Sequence, residues 1–113
     1  MELTEEVLEG GVRCVHLNGR LDLKGTQAVE KLFTAAVGAK KQSVLVNMSK
    51  VDFIASVGIR MFIGNLKALT PAGAKMIFFK PSKMVEDVLK LAGLDAVIPI
   101  EHDLAAAMVL LKN

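Results

Sequence analysis

The chain has 113 residues and a formal net charge of +2, which is one domain's length and too little charge to argue for a nucleic-acid partner. Hydrophobic residues make up 52% of it, yet Trp and Tyr are absent and Phe occurs 5 times, so the core must be aliphatic and methionine-rich. One cysteine, Cys14, excludes an internal disulfide and suits a reducing compartment, and no apolar run reaches membrane-spanning length.

In chain order, Glu2 to Leu8 reads as an edge strand, Glu9-Gly10-Gly11 as a turn, and Val12 to Leu17 as a second strand pairing back as a hairpin. Asp22 to Gly25 leads into a helix whose Ala28, Val29, Leu32, Phe33, Ala36 and Val37 share one face, with Gly38 expected to end it. Ser43 to Met48 is a short, β-branched run expected as a buried strand, and Ser49 to Ser56 reads as a loop. Ile59, Phe62, Ile63, Leu66 and Leu69 then recur at helical spacing until Thr70-Pro71-Ala72-Gly73 breaks the pattern. Lys75 to Phe79 is the next strand, Ser82 caps a helix closed by Gly93, Val97 to Ile100 is a short strand, and Leu104 to Leu111 a last helix. Strands alternating with helices across short connections indicate an α/β domain, and right-handed crossovers make the later strands parallel.

Val51 to Arg60 carries the sharpest functional signal. Ser56 falls at the expected start of a helix, where unpaired N–H groups and the helix dipole favour negative charge and would welcome a phosphate. Serine is also a preferred N-cap, worth about 1 kcal/mol with no function attached. Gly58, in the first turn, costs roughly 1 kcal/mol against alanine and therefore implies a packing reason. Loops at the strand ends would bring Lys24, Lys50, Arg60, Lys80 and Lys83 onto the rim that holds Ser56, as a basic collar or as ordinary solvated cations.

Catalytic constellations are missing. Neither His16 nor His102 stands at metal-ligand spacing from a cysteine or another histidine, and Asp52 near Ser56 has no base to complete a hydrolase triad. His16 alternates with Val15 and Leu17 as a sheet residue, and Cys14 reads as a small buried hydrophobe. No phosphate-cradling glycine loop occurs. The chain is not expected to be an enzyme or to hold a cofactor or metal.

Asn47 to Arg60 resembles the signature of the STAS domain, the family of bacterial anti-sigma factor antagonists: a strand, a short loop, then a serine two residues before a glycine that opens a helix. Leu17-Asn18-Gly19-Arg20-Leu21-Asp22 is similar to the family's Leu-x-Gly-x-Leu-Asp strand end, and Pro81 to Leu94 to its last major helix and turn. The resemblance implies a single domain over residues 1–113, with a mixed sheet of four to five strands and about four helices mainly on one face.

It also implies a partner switch. The unmodified domain would bind an anti-sigma factor that is itself a serine kinase, freeing a sigma factor. Phosphorylation at Ser56 would end that binding, and a serine phosphatase would restore it. Asp22, Lys24, Lys50, Asp52, Ala55, Val57, Gly58 and Arg60 are the expected contact residues. Ala55 stands where well-known members carry aspartate, Val57 replaces a second serine, and Asn47 stands where many relatives have aspartate. The alternatives are a phosphorylation-independent adaptor of a transport ATPase complex and a small-ligand sensor. A cytoplasmic monomer or weak dimer, with no membrane insertion and no direct nucleic-acid contact, is expected.

Overall fold

The structure, a computed structural model, describes residues 1–112. Five strands, β1 (Glu2–Val7), β2 (Arg13–Leu21), β3 (Val44–Ile54), β4 (Met76–Phe79) and β5 (Ile100–Glu101), form one sheet in sequential order. Four helices accompany them: α1 (Leu23–Ala36), α2 (Ser56–Leu69), α3 (Lys83–Leu91) and α4 (Leu104–Lys112). β1 runs antiparallel to β2, and every later neighbour is parallel.

That order decides where the helices go. Right-handed crossovers between parallel strands taken consecutively deliver each connecting helix to the same face. Accordingly Val29 and Phe33 of α1, Phe62 of α2, and Val85 and Leu89 of α3 share one core with Val15, Leu17, Val46 and Phe78 of the sheet. Phe33, Phe62 and Phe78 meet edge to face, with ring centroids 5.3 and 4.8 Å apart. The alternate strand residues Cys14, Leu45 and Ile77 point to the other face, where Ala107 and Leu111 of α4 cover them. The sheet is therefore buried on both sides at its centre, as its near-continuous apolar strands require.

Several boundaries differ from the sequence reading, each for a physical reason. β3 does not stop at Met48. Its polar half continues to Ile54 because Asn18–Leu21 of β2 pair with Lys50–Ile54 through two register shifts. Ser49, Lys50 and Asp52 face solvent there while Val51 and Ile54 are buried, so a half-exposed strand looked like a loop. The last helical residue of α1 is Ala36, with Val37 at the C-cap and Gly38 next, its N–H donating to the Asn65 side chain. Leu32, placed on the apolar face by periodicity, is 57% exposed. The last strand is Ile100–Glu101, with Val97 exposed and Ile98 buried ahead of it. Ser82 caps α3 as expected, its hydroxyl accepting from the Val85 N–H at 3.3 Å. Among the described residues no helix is long and apolar enough to cross a membrane.

Candidate functional site

β2 and β3 end side by side, and the two helices that follow begin there. The Ala55 N–H donates to the Leu21 carbonyl at 2.9 Å, lacing the start of α2 to the start of α1. Asp22 is the N-cap of α1: its Oδ1 accepts from the Gly25 N–H at 2.7 Å. That bond first, and the Arg20 side chain second, hold the Asp22 carboxyl below the ordinary aspartate range. Lys24 and Gly25 are consequently helical, and the turn expected over Asp22 to Gly25 shrinks to its cap residue. A Cβ on Gly25 would stand 1.8 Å from the Arg20 carbonyl oxygen, so only glycine lets α1 leave β2 this tightly.

Ser56 is the first residue of α2, not its cap. Ala55 occupies the cap position in extended conformation and, having no side-chain oxygen, makes no cap hydrogen bond. Ser56 is exposed, no acidic side chain lies in the first turn, and the Ser56 and Val57 N–H groups precede the first backbone bond of the helix, from the Gly58 N–H to the Ala55 carbonyl at 3.0 Å. The bland role that serine most often plays at a helix start is thus not the one this hydroxyl plays. Gly58 is buried: a Cβ there would meet the Leu21 Cβ at 3.1 Å and the Ile54 Cγ1 at 3.2 Å. Its absent side chain is what lets α2 sit against the ends of β2 and β3, which corrects its expected place on the contact surface.

The model of the STAS domain matches residues 5–107. The chain belongs to the STAS domain family. A curated relative is BtrV of Bordetella bronchiseptica, provisionally named an anti-sigma factor antagonist. It is 22% identical over 114 residues, covering 100% of this chain and 97% of the relative. Among solved structures, an anti-sigma-factor antagonist domain protein of Planctomyces limnophilus superposes with a TM-score of 0.83 at 20% identity, covering 96% of each chain. The antagonist SpoIIAA in its unphosphorylated form gives 0.76 at 18% identity over 96% of each chain. Phosphorylated SpoIIAA of Bacillus gives 0.69 at 17% identity, over 96% of this chain and 99% of that one.

Within this STAS domain the remaining residues of interest separate into groups. Arg60 is exposed in α2, while Ala55 and Val57 are half-buried beside Ser56. Asp22 and Lys24 border a shallow depression of about 400 Å³ with Gly19, Arg20 and Ala28. Lys50 goes elsewhere, lining a cleft on the opposite sheet face with His16 and Asn47. Asp52 is exposed on the projecting part of β3. Lys83 bonds Asp87 at 3.0 Å, and Lys80 stands over the Phe79 ring at 5.3 Å. Register places Phe79 opposite Asn47, not Ile54, so the β4 rim that carries these two lysines is level with the middle of β3.

Two features escaped the sequence. Arg20 stacks on Phe53 at 4.4 Å from the ring centroid and reaches Asp22 at 3.5 Å, a cross-strand pair that exists only because β3 extends through Phe53. The alternation of Val51 and Phe53 with polar neighbours was the available signal. Asn65, on the buried stripe of α2, accepts from the Gly38 N–H at 3.0 Å and donates to the Met61 carbonyl at 2.9 Å. It ties the segment that follows α1 to α2.

Proposed function

We propose that this STAS domain is an anti-sigma factor antagonist switched by phosphorylation at Ser56. The observation that carries the reading is the exposed Ser56 hydroxyl at the first position of α2, free of any capping duty. A kinase can reach it, and a phosphate there adds about −1.5 to −2 charges where the helix dipole favours them, so modification leaves the fold intact. The chemistry then acts on the partner. Ser56, Val57 and Arg60, with Ala55 at their edge and Asp22, Lys24 and Asp52 on the neighbouring strand and helix ends, form the contact region of the unmodified domain, and Lys50, in the cleft on the other sheet face, falls outside it. Gly58 sets the approach of α2 from beneath it. New negative charge on that surface repels or strands an unpaired charge against the partner, an anti-sigma factor with serine kinase activity. A serine phosphatase resets the domain. The existence of SpoIIAA structures in unphosphorylated and phosphorylated forms supports reading the shared fold as compatible with both states.

Wild-type, Ser56→Ala and Ser56→Glu proteins used as baits in native lysate test the switch. The expected result is an ATPase of the histidine-kinase-like fold retained by wild type and Ser56→Ala and weakened roughly 100-fold by Ser56→Glu, about 2.7 kcal/mol. Equal capture of one partner by all three baits would overturn switching and make the domain an adaptor.

A further inference from the structure

The sheet face away from Ser56 carries a convergence of donors that the switch does not use. Glu6 stands opposite Cys14 in the β1–β2 register, and His16 lies two residues further along β2 on the same face. His16 Nε2 is 2.7 Å from Glu6 Oε1 and 3.6 Å from Cys14 Sγ, and one donor atom from each of the three residues lies within 4.8 Å of the others. Only one ring proton is available between a carboxylate and a sulfur. The other ring nitrogen is held by Asn47, whose Nδ2 is 2.9 Å from His16 Nδ1 while its Oδ1 accepts from the Ser49 N–H at 3.0 Å. That bond orients the amide so that its NH2 faces the ring, placing the neutral imidazole's proton on Nε2.

We propose that Glu6, Cys14 and His16 form a binding site for a divalent cation of the zinc class. Nitrogen and sulfur donors select borderline-to-soft ions over Mg²⁺ or Ca²⁺. Tetrahedral coordination at metal–ligand lengths of about 2.0–2.3 Å spaces donors about 3.3–3.8 Å apart. The histidine–cysteine separation of 3.6 Å already falls in that range. The carboxylate must swing away from Nε2 and toward the sulfur, and Glu6 can do so because its side chain is 53% exposed on the edge strand. A fourth position is left to water. His16 and Asn47 line a cleft of about 410 Å³ that also meets Thr4, Asn18 and Lys50, so an ion reaches the ring from solvent, whereas Cys14 itself is buried.

Coordination sends the thiol proton of Cys14 to solvent and moves the imidazole proton from Nε2 to Nδ1. Asn47 then turns its Oδ1 to that new N–H, as the outer partner of a metal-bound histidine does, and the exposed Ser49 N–H passes to water. No metal-ligand spacing shows along the chain because the third donor, Glu6, comes from the paired strand, ten residues from His16.

The test is titration of the reduced protein with Co²⁺, followed by Zn²⁺ displacement. A thiolate-to-cobalt charge-transfer band saturating at one equivalent, together with a shift of the Ser49 amide resonance, is expected. Glu6→Gln and Cys14→Ser should each weaken Zn²⁺ binding at least tenfold. Glu6→Gln lies on the exposed edge and leaves the core untouched, so it stays informative should Cys14→Ser disturb packing under α4. Absence of the band in wild type, or Zn²⁺ affinity unchanged by Glu6→Gln, would overturn the site.

Discussion

The Ala55 N–H and the Leu21 carbonyl are hydrogen-bonded at 2.9 Å, so the residue before the candidate phosphoacceptor is tied to the end of the neighbouring strand. This one bond makes the starts of α1 and α2 a single structural unit. It also explains why Ala55 is extended and why Ser56, not Ala55, opens the helix.

An extended alanine at a cap position is a vacancy in the capping chemistry. Ala55→Asp should supply the missing side-chain acceptor and raise stability by about 1 kcal/mol. Ser56→Ala, which removes a hydroxyl that caps nothing, should stay within about 0.5 kcal/mol of wild type. Urea denaturation of both variants checks the contrast, and a costly Ser56→Ala would show that the hydroxyl is structural.

Gly58→Ala sets two effects against each other. Alanine gains roughly 1 kcal/mol in helix propensity, but overpacking a filled core costs about 1–3 kcal/mol. The clashing atoms, 3.1 and 3.2 Å away, belong to Leu21 and Ile54, which are 0% and 4% exposed and have nowhere to retreat. Net destabilisation of about 1 kcal/mol is expected, read as a fall of about 4–8 °C in Tm for a domain of this size.

Asn65→Ala removes the acceptor of the buried Gly38 N–H and the donor to the Met61 carbonyl. Leaving a buried amide unpaired costs about 1–3 kcal/mol, and the lost volume adds to it. A loss of about 2–3 kcal/mol in unfolding free energy, read from urea denaturation, is expected, with the Gly38 amide newly exchanging with solvent.

Acid titration reports on the α1 cap. Because folding lowers the Asp22 pKa, the unfolded chain binds its proton first. The stabilisation is therefore complete above the ordinary aspartate value of about 3.9 and disappears as pH falls through the lower folded value. Carboxyl NMR shifts of Asp22 should give a midpoint below 3.9, and Gly25→Ala, by displacing the Arg20 carbonyl and the cap, should move it upward.

Cys14 shows the opposite perturbation: burial first, and the Glu6 carboxylate second, push its thiol up to about 11. Alkylation by iodoacetamide at pH 8 should consequently be far slower than for an exposed cysteine, whose pKa is about 8.5.

Most elements were legible in the residues. The α2 periodicity, the Ser82 cap and the Gly93 stop all rest on interactions between residues close in sequence, and local chemistry encodes those well. The boundaries that moved depend on partners far along the chain. Ser49 to Ile54 is strand only because β2 offers Asn18–Leu21 beside it. Ser56 itself was legible as a helix-start serine, but whether it caps or stands free turned on which residue the Leu21 carbonyl selects.

By itself the sequence determined the alternation of strands and helices, the family signature around Ser56, and the demand for glycine at 58, because these follow from period, propensity and short-range sterics. Tertiary structure alone decided the exposure of the Ser56 hydroxyl, the placement of Gly58 under the strand ends, and the meeting of Glu6 with Cys14 and His16. Each depends on hydrogen-bond register and packing between segments distant in the chain, and no local pattern of residue types encodes that register.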